Sequence, residues 1–245
     1  MGRRVTGFRS AFLGLFPLVF SLLFFQASQA QTAATSAPAW MNSRLTPDAR
    51  ADLVQAQLSQ DEELALVNGY FGVYKPGLQP AAIRDDFPMS AGYVPGIARL
   101  GIPGLRESDA SLGVANLYHT RPGDTATALP SSLLTAASWN PRLAYASGAM
   151  IGTEARDKGF NVLLAGGVDL ARDPRGGRNF EYSGEDPLLA GVMAGQSIRG
   201  VQDQHILSTI KHFALNDQET GRTIVSSNIG EGAMRESDLF AFELA

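Results

Sequence analysis

The chain has 245 residues, with 20 Lys and Arg against 24 Asp and Glu and a formal net charge of −4. A mildly acidic chain without a basic stripe is not built to bind nucleic acid. It contains no cysteine, which excludes disulfides and a cysteine nucleophile, and 44% of its residues are hydrophobic, enough for a sizeable core.

Residues 1–30 read as a secretion signal. Arg3, Arg4 and Arg9 form a basic start, Ala11 to Phe25 is apolar, and Ser28-Gln29-Ala30 has the small-x-small pattern that a signal peptidase cuts. The Arg3-Arg4 pair also raises the twin-arginine route, though its neighbours match that signal poorly. The apolar stretch is too short for a comfortable membrane span. The expectation is therefore cleavage after Ala30, export to the periplasm or the outside, and no stable membrane insertion afterwards. Residues 31–44 read as a flexible leader, and residues 45–245 as one partial barrel domain.

Along that domain, Thr46-Pro47 predicts a helix N-cap followed by proline in the first turn, with the helix running to about Gln57. Ser59 with Glu62 forms a capping-box pattern and opens a second helix that Gly69 ends. Residues 70–92, rich in Gly, Pro and Tyr, read as a loop. A short strand is expected near residues 104–106. Asn140-Pro141 caps a long helix reaching Lys158, and Gly159 stops it. A strand over 161–165 follows. Asp186-Pro187 caps another helix, with Leu188, Leu189, Val192 and Met193 on its apolar side. A strand over 206–210 comes next, then a last helix from about 232 whose Leu239, Phe240, Phe242 and Leu244 read as core.

Strand, helix, strand, helix argues for parallel strands with crossover helices. Two strands end in dense polar clusters. One is Gly167-Val168-Asp169-Leu170-Ala171-Arg172-Asp173-Pro174-Arg175-Gly176-Gly177-Arg178-Asn179-Phe180-Glu181-Tyr182; the other is the run from Lys211 and His212 through Asn216, Gln218 and Glu219 to Arg222. Polar side chains at strand ends are where α/β enzymes hold ligands, and two such clusters imply one pocket suited to a ligand with many hydroxyls. No Gly-x-Gly-x-x-Gly or phosphate-loop pattern occurs, which favours a barrel over a nucleotide-binding sheet. His119, His205 and His212 lack metal-ligand spacing, and no Gly-x-Ser-x-Gly elbow is present. The reading implies no metal and no cofactor.

Lys211-His212-Phe213 with Asn216, Gln218-Glu219 and Arg222 resembles the signature of glycoside hydrolase family 3, in its β-glucosidase branch. Arg172-Asp173-Pro174-Arg175, Gly177-Arg178-Asn179-Phe180-Glu181 and Gly184-Glu185-Asp186-Pro187 resemble a second signature of that family, and Gly101-Ile102-Pro103 with Leu105-Arg106 and Asp109 a third. The resemblance implies an incomplete (β/α)8 TIM-like barrel of the α/β class, its N-terminal four to five βα units. It implies hydrolysis of terminal non-reducing β-D-glucosyl residues by a retaining mechanism, with a β-glucoside or oligosaccharide as substrate. Asp109 matches the carboxylate that holds hydroxyls on the far side of the non-reducing sugar. Arg178, Lys211 and His212 match donors that grip its other hydroxyls, and Arg222 ranks lower as a further sugar-facing cation. Arg172, Asp173 and Arg175 read as a structural ion-pair and turn network. Glu181, Glu185 and Asp186 read as supporting or capping residues, and Asp217 and Glu219 as solvent-facing or loop-fixing.

Two departures stand out. Many relatives carry a bulky aromatic where Gly176 stands, which bears on substrate preference. The family's nucleophile is an aspartate in a Ser-Asp-Trp-like motif, and none occurs here. Ser108-Asp109 lies too early in the chain, and Ser237-Asp238 falls within a predicted helix. The expectation is therefore a sugar-binding half with no catalytic carboxylate of its own, the nucleophile Asp and the acid/base Glu lying beyond Ala245, the latter in a C-terminal domain. Such a chain on its own is expected to be poorly folded and hydrolytically inactive. A β-xylosidase of the same family, a non-catalytic sugar-binding protein, and a barrel enzyme using Lys211 as a Schiff-base amine remain open. The stretch after Lys-His-Phe lacks the Pro-Gly-rich pattern and second His of the N-acetylglucosaminide branch, which favours glucosides or xylosides.

Overall fold

The computed structural model describes residues 37–245. The secretion-signal reading and the first part of the leader lie outside them. Among the described residues no helix is long and apolar enough to cross a membrane. The rest of the leader carries a 3-10 turn, Ala39–Met41, tied to the first helix by the Arg50 guanidinium on the Trp40 carbonyl.

Helix α1 (Pro47–Gln55) starts where Thr46 Oγ1 accepts the Ala49 N–H, with Pro47 at the first helical position. Helix α2 (Gln60–Leu66) opens on a complete capping box: Ser59 and Glu62 each accept the other's backbone N–H. Both starts follow from sequence because the capping side chains satisfy N–H groups that no helical carbonyl can reach.

One five-stranded sheet organises the rest, in the order β1-β2-β3-β4-β5. Strand β2 (Gly92–Val94) pairs antiparallel with both β1 (Tyr70–Phe71) and β3 (Leu105–Asp109). Strands β3, β4 (Val162–Gly167) and β5 (Leu207–Lys211) run parallel. Helices α3 (Ser132–Ala137) and α4 (Pro141–Asp157) connect β3 to β4, and α5 (Pro187–Gln202) connects β4 to β5. After β5 come α6 (Glu231–Glu236) and α7 (Asp238–Leu244). This is α/β architecture of partial-barrel type, in which three parallel strands each lead into helix.

The hairpin β1–β2 was not expected, since residues 70–92 read as loop. Its strands are too short for an alternation pattern to show. What holds them is an aromatic cluster: Phe87 packs against Tyr70, Tyr74 and Tyr93 with ring centroids 6.0, 5.5 and 5.0 Å away.

The main core lies between the sheet and α4–α5, where Leu163 and Ala155 are fully buried beside Ile151, Phe160, Val201 and Ile206. Burying a side chain such as Leu163 stabilises the fold by about 1.5–3 kcal/mol. A second cluster joins Val168, Leu170, Ala190, Ala194 and Ala241. It corrects the expected apolar face of α5 in part: Met193 is buried and Leu189 packs beside it as expected, but Leu188 is 55% exposed and Val192 also points outward, while Ala190, Gly191 and Ala194 are inside. Small side chains at that spacing let α7 approach closely; a Cβ on Gly191 would lie 2.9 Å from the Ala241 carbonyl oxygen.

The predicted final helix is broken. Ser237 leaves helical geometry (φ −121°, ψ −92°) between α6 and α7. Asp238 and Ala241 are the fully buried side of α7, rather than the four larger residues. Asp238 turns inward to reach Arg172, which costs the helix its continuity.

Candidate functional site

Three parallel strands finish side by side: β3 at Asp109, β4 shortly before Asp169, and β5 at Lys211. Lys211 Nζ donates to Asp109 Oδ1 at 2.8 Å. Strand β4 separates their strands, so the pair bridges two inter-strand spacings, about 10 Å. The end of β4 makes room for it. Residues Gly166 and Gly167 carry no side chain, the register shifts between Leu164 and Gly167, and Gly166 takes a positive φ of 90°. A Cβ on Gly167 would lie 2.7 Å from the Tyr182 ring, so glycine there also lets Tyr182 pack against the sheet.

Arg178 arrives on the loop between β4 and α5, at the start of the 3-10 turn Asn179–Glu181. Its guanidinium pairs with Glu181, donates to Glu219 Oε1 at 3.2 Å, and lies 2.8 Å from His212 Nε2 through Nη2. A guanidinium can only donate. His212 Nε2 therefore accepts, and the ring proton sits on Nδ1. That atom faces the Tyr182 hydroxyl and Asp169 Oδ2, each at 3.4 Å. The Tyr182 hydroxyl gives its own proton to the Asn216 carbonyl at 3.1 Å, leaving lone pairs for the imidazole. Burial, helped by the Asp169 charge, pushes the Tyr182 phenol up and keeps it protonated. The sequence reading made His212 a donor; towards Arg178 it is an acceptor.

Asp169 is fully buried. Its Oδ2 accepts the His212 backbone N–H at 2.7 Å and its Oδ1 the Asn216 backbone N–H at 3.1 Å. The sequence reading gave this residue no role. The available signal was a lone acid between Val168 and Leu170 at the end of an apolar strand, since an aspartate in such a setting is buried only when something satisfies it.

The loops behind the site are held by Arg172. It lies 3.5 Å from Asp217 Oδ2 through Nε, pairs with Asp238, and donates to Ser237 Oγ at 3.1 Å. Burial and the nearby Asp238 charge push the Asp217 carboxyl up to about 6. Asp217 therefore fixes its loop rather than facing solvent. Arg175 closes a turn on Asp173 at 2.8 Å and holds that carboxyl down at about 2. Asp186 caps α5 by accepting two backbone N–H groups. A Cβ on Gly176 would lie 2.6 Å from Asn179 Oδ1, so a larger residue there would require Asn179 to move.

Asp109, Lys211, Arg178 and His212 thus meet around the ends of β3–β5 as two contacting pairs. Arg222 does not join them directly. It is half-exposed, and it reaches the group only through Glu219, at 3.4 Å. Among the described residues no His, Cys, Asp and Glu cluster is arranged to hold a metal ion. Charged donors and acceptors in a partly buried setting make strong, directional hydrogen bonds to hydroxyls.

Residues 91–245 match the family model described as the glycosyl hydrolase family 3 N terminal domain. The chain belongs to glycosyl hydrolase family 3. It is 44% identical over 158 residues to beta-glucosidase BoGH3A of Bacteroides ovatus, covering 62% of this chain and 21% of that protein. It is likewise 44% identical over 145 residues to beta-glucosidase B of Emericella nidulans, covering 59% of this chain and 17% of the other. Among solved structures, beta-glucosidase 3B from Thermotoga neapolitana in complex with alpha-D-glucose superposes with a TM-score of 0.68 and 35% identity, over 80% of this chain and 27% of that one. The beta-glucosidase DesR from Streptomyces venezuelae, in complex with D-glucose, gives 0.69 and 34% over 80% and 23%. The chain therefore spans between 17% and 27% of the length of these relatives.

Proposed function

We propose that this family 3 chain supplies the non-reducing sugar subsite of an exported, retaining β-glucosidase. The observation that carries the reading is that a Lys211–Asp109 pair and an Arg178–His212 pair, linked by the consecutive residues Lys211 and His212, both form at the carboxyl ends of parallel strands. Relatives named beta-glucosidases, some solved with glucose, support the substrate class. Asp109 would accept two hydroxyl protons of a glucosyl ring while Lys211 and Arg178 donate to its oxygens. Contacts of this kind tighten as the ring flattens towards an oxocarbenium ion, which lowers the barrier. Lys211 Nζ is paired with the Asp109 carboxylate, a setting unlike the apolar pocket that activates a Schiff-base amine.

Retaining hydrolysis needs two carboxylates about 5–5.5 Å apart. Four acids around the site are engaged: Asp109 by Lys211, Asp169 by backbone N–H groups, Glu181 and Glu219 by Arg178. In this proposal the hydrolytic pair comes from outside residues 1–245, residues 45–245 are the partial barrel, and residues 1–30 direct export.

The test is steady-state hydrolysis of p-nitrophenyl β-D-glucoside. The full-length protein is expected to turn it over, and residues 31–245 expressed alone to give none. Steady turnover by residues 31–245 alone would overturn the division of labour, and inactivity of the full-length protein on β-glucosides would overturn the substrate reading.

A further inference from the structure

Asp169 is a fully buried acid at the rim of the proposed sugar subsite, and its two oxygens are spent on two backbone N–H groups four residues apart, those of His212 and Asn216. Both belong to the turn that carries His212 away from β5. The same Oδ2 that takes the His212 N–H lies 3.4 Å from His212 Nδ1. Backbone and ring of one residue are thus addressed by one carboxylate.

We propose that Asp169 is a positioning residue: it anchors the turn after β5 and holds the His212 ring with Nε2 facing the subsite as a hydrogen-bond acceptor. The inference rests on the sugar-binding reading for its purpose, but not for its geometry. A carboxylate cannot donate, so a ring nitrogen facing it carries the proton. Tyr182 reinforces the choice, because its hydroxyl proton is committed to the Asn216 carbonyl. On the other side Arg178 offers only donors to Nε2 at 2.8 Å. All three neighbours select the same tautomer. When a sugar hydroxyl replaces or joins Arg178 at Nε2, the hydroxyl must donate. Asp109 and His212 then form the accepting side of the subsite, and Lys211 and Arg178 the donating side. A ring of hydroxyls, each able to give one proton and take others, is matched by such a split.

The variant Asp169→Asn keeps size and shape but offers only one accepting oxygen, so one of the two backbone anchors is lost and an amide N–H faces either a backbone N–H or the ring. The experiment uses the full-length protein, with glucose titrated calorimetrically and the His212 imidazole nitrogens observed by 15N NMR. Expected in the wild type without sugar is a ring protonated at Nδ1 and bare at Nε2. Expected in Asp169→Asn is a second His212 ring state and a glucose Kd raised at least about tenfold, with the unfolding transition retained. A wild-type ring protonated at Nε2 overturns the proposal even if the variant fails to fold. So does a folded Asp169→Asn with the wild-type ring state and wild-type glucose affinity. Lys211→Ala serves as the control for the underlying reading: if it binds glucose as the wild type does, the sugar-subsite reading fails, while the ring state of His212 still decides the role of Asp169.

Discussion

At the scale of single residues, the chemistry of this chain is set by how few polar atoms are left to choose their partners. Arg178 touches two acids and an imidazole, Asp169 two amides, and Arg172 two acids and a hydroxyl. Asp217 is one exception. Its Oδ1 is buried without a hydrogen-bond partner, and the carboxyl is pushed up to about 6 by burial and by Asp238. The folded-state value lies above that of an unfolded aspartate, so folding favours the protonated form. Its contribution to stability is fully present below about pH 4 and is lost as the pH rises through about 6. The variant Asp217→Asn removes that dependence. Thermal midpoints measured from pH 4 to 7 should show the wild type losing ground to the variant as pH rises. A constant difference between the two across that range would refute the burial argument.

At the scale of elements, α4 and α5 cross with glycine against backbone. A Cβ on Gly200 would stand 2.2 Å from the Tyr145 carbonyl oxygen, and one on Gly148 2.1 Å from that of Ser197. Alanine in a helix interior is favoured over glycine by about 1 kcal/mol, but overpacking against backbone costs about 1–3 kcal/mol or more. The clash wins, since no flexible side chain can give way. Gly200→Ala should therefore lower the thermal midpoint by several degrees; a raised midpoint would show that the helices part at little cost. Much of this layer was legible in the sequence. Thr46-Pro47, Ser59 with Glu62, Asn140-Pro141 and Asp186-Pro187 all start helices where expected, because capping is a local hydrogen-bonding requirement. The parallel strands were legible to within two or three residues. The hairpin β1–β2, the small-residue face of α5 and the break at Ser237 were not, because each depends on a partner far away in the chain: Phe87, α7 and Arg172.

At the scale of the whole molecule, the three parallel strands of the mixed sheet and their helices bring residues from positions 109, 169, 178, 211 and 212 to one end of those strands. Side-chain types announced four of these positions through family motifs, and the geometry adds Asp169. Arg222, also part of a motif, stays at the edge beside Glu219, since a motif reports membership of a family and not which atoms converge. The roles proposed here require that convergence to be where a sugar sits. A crystal structure of the full-length protein soaked with glucose tests this most directly. The account predicts one pyranose within hydrogen-bond distance of Asp109, Lys211, Arg178 and His212, with His212 Nε2 accepting from a hydroxyl. Glucose bound elsewhere, with the Lys211–Asp109 and Arg178–His212 pairs facing no sugar, would contradict it.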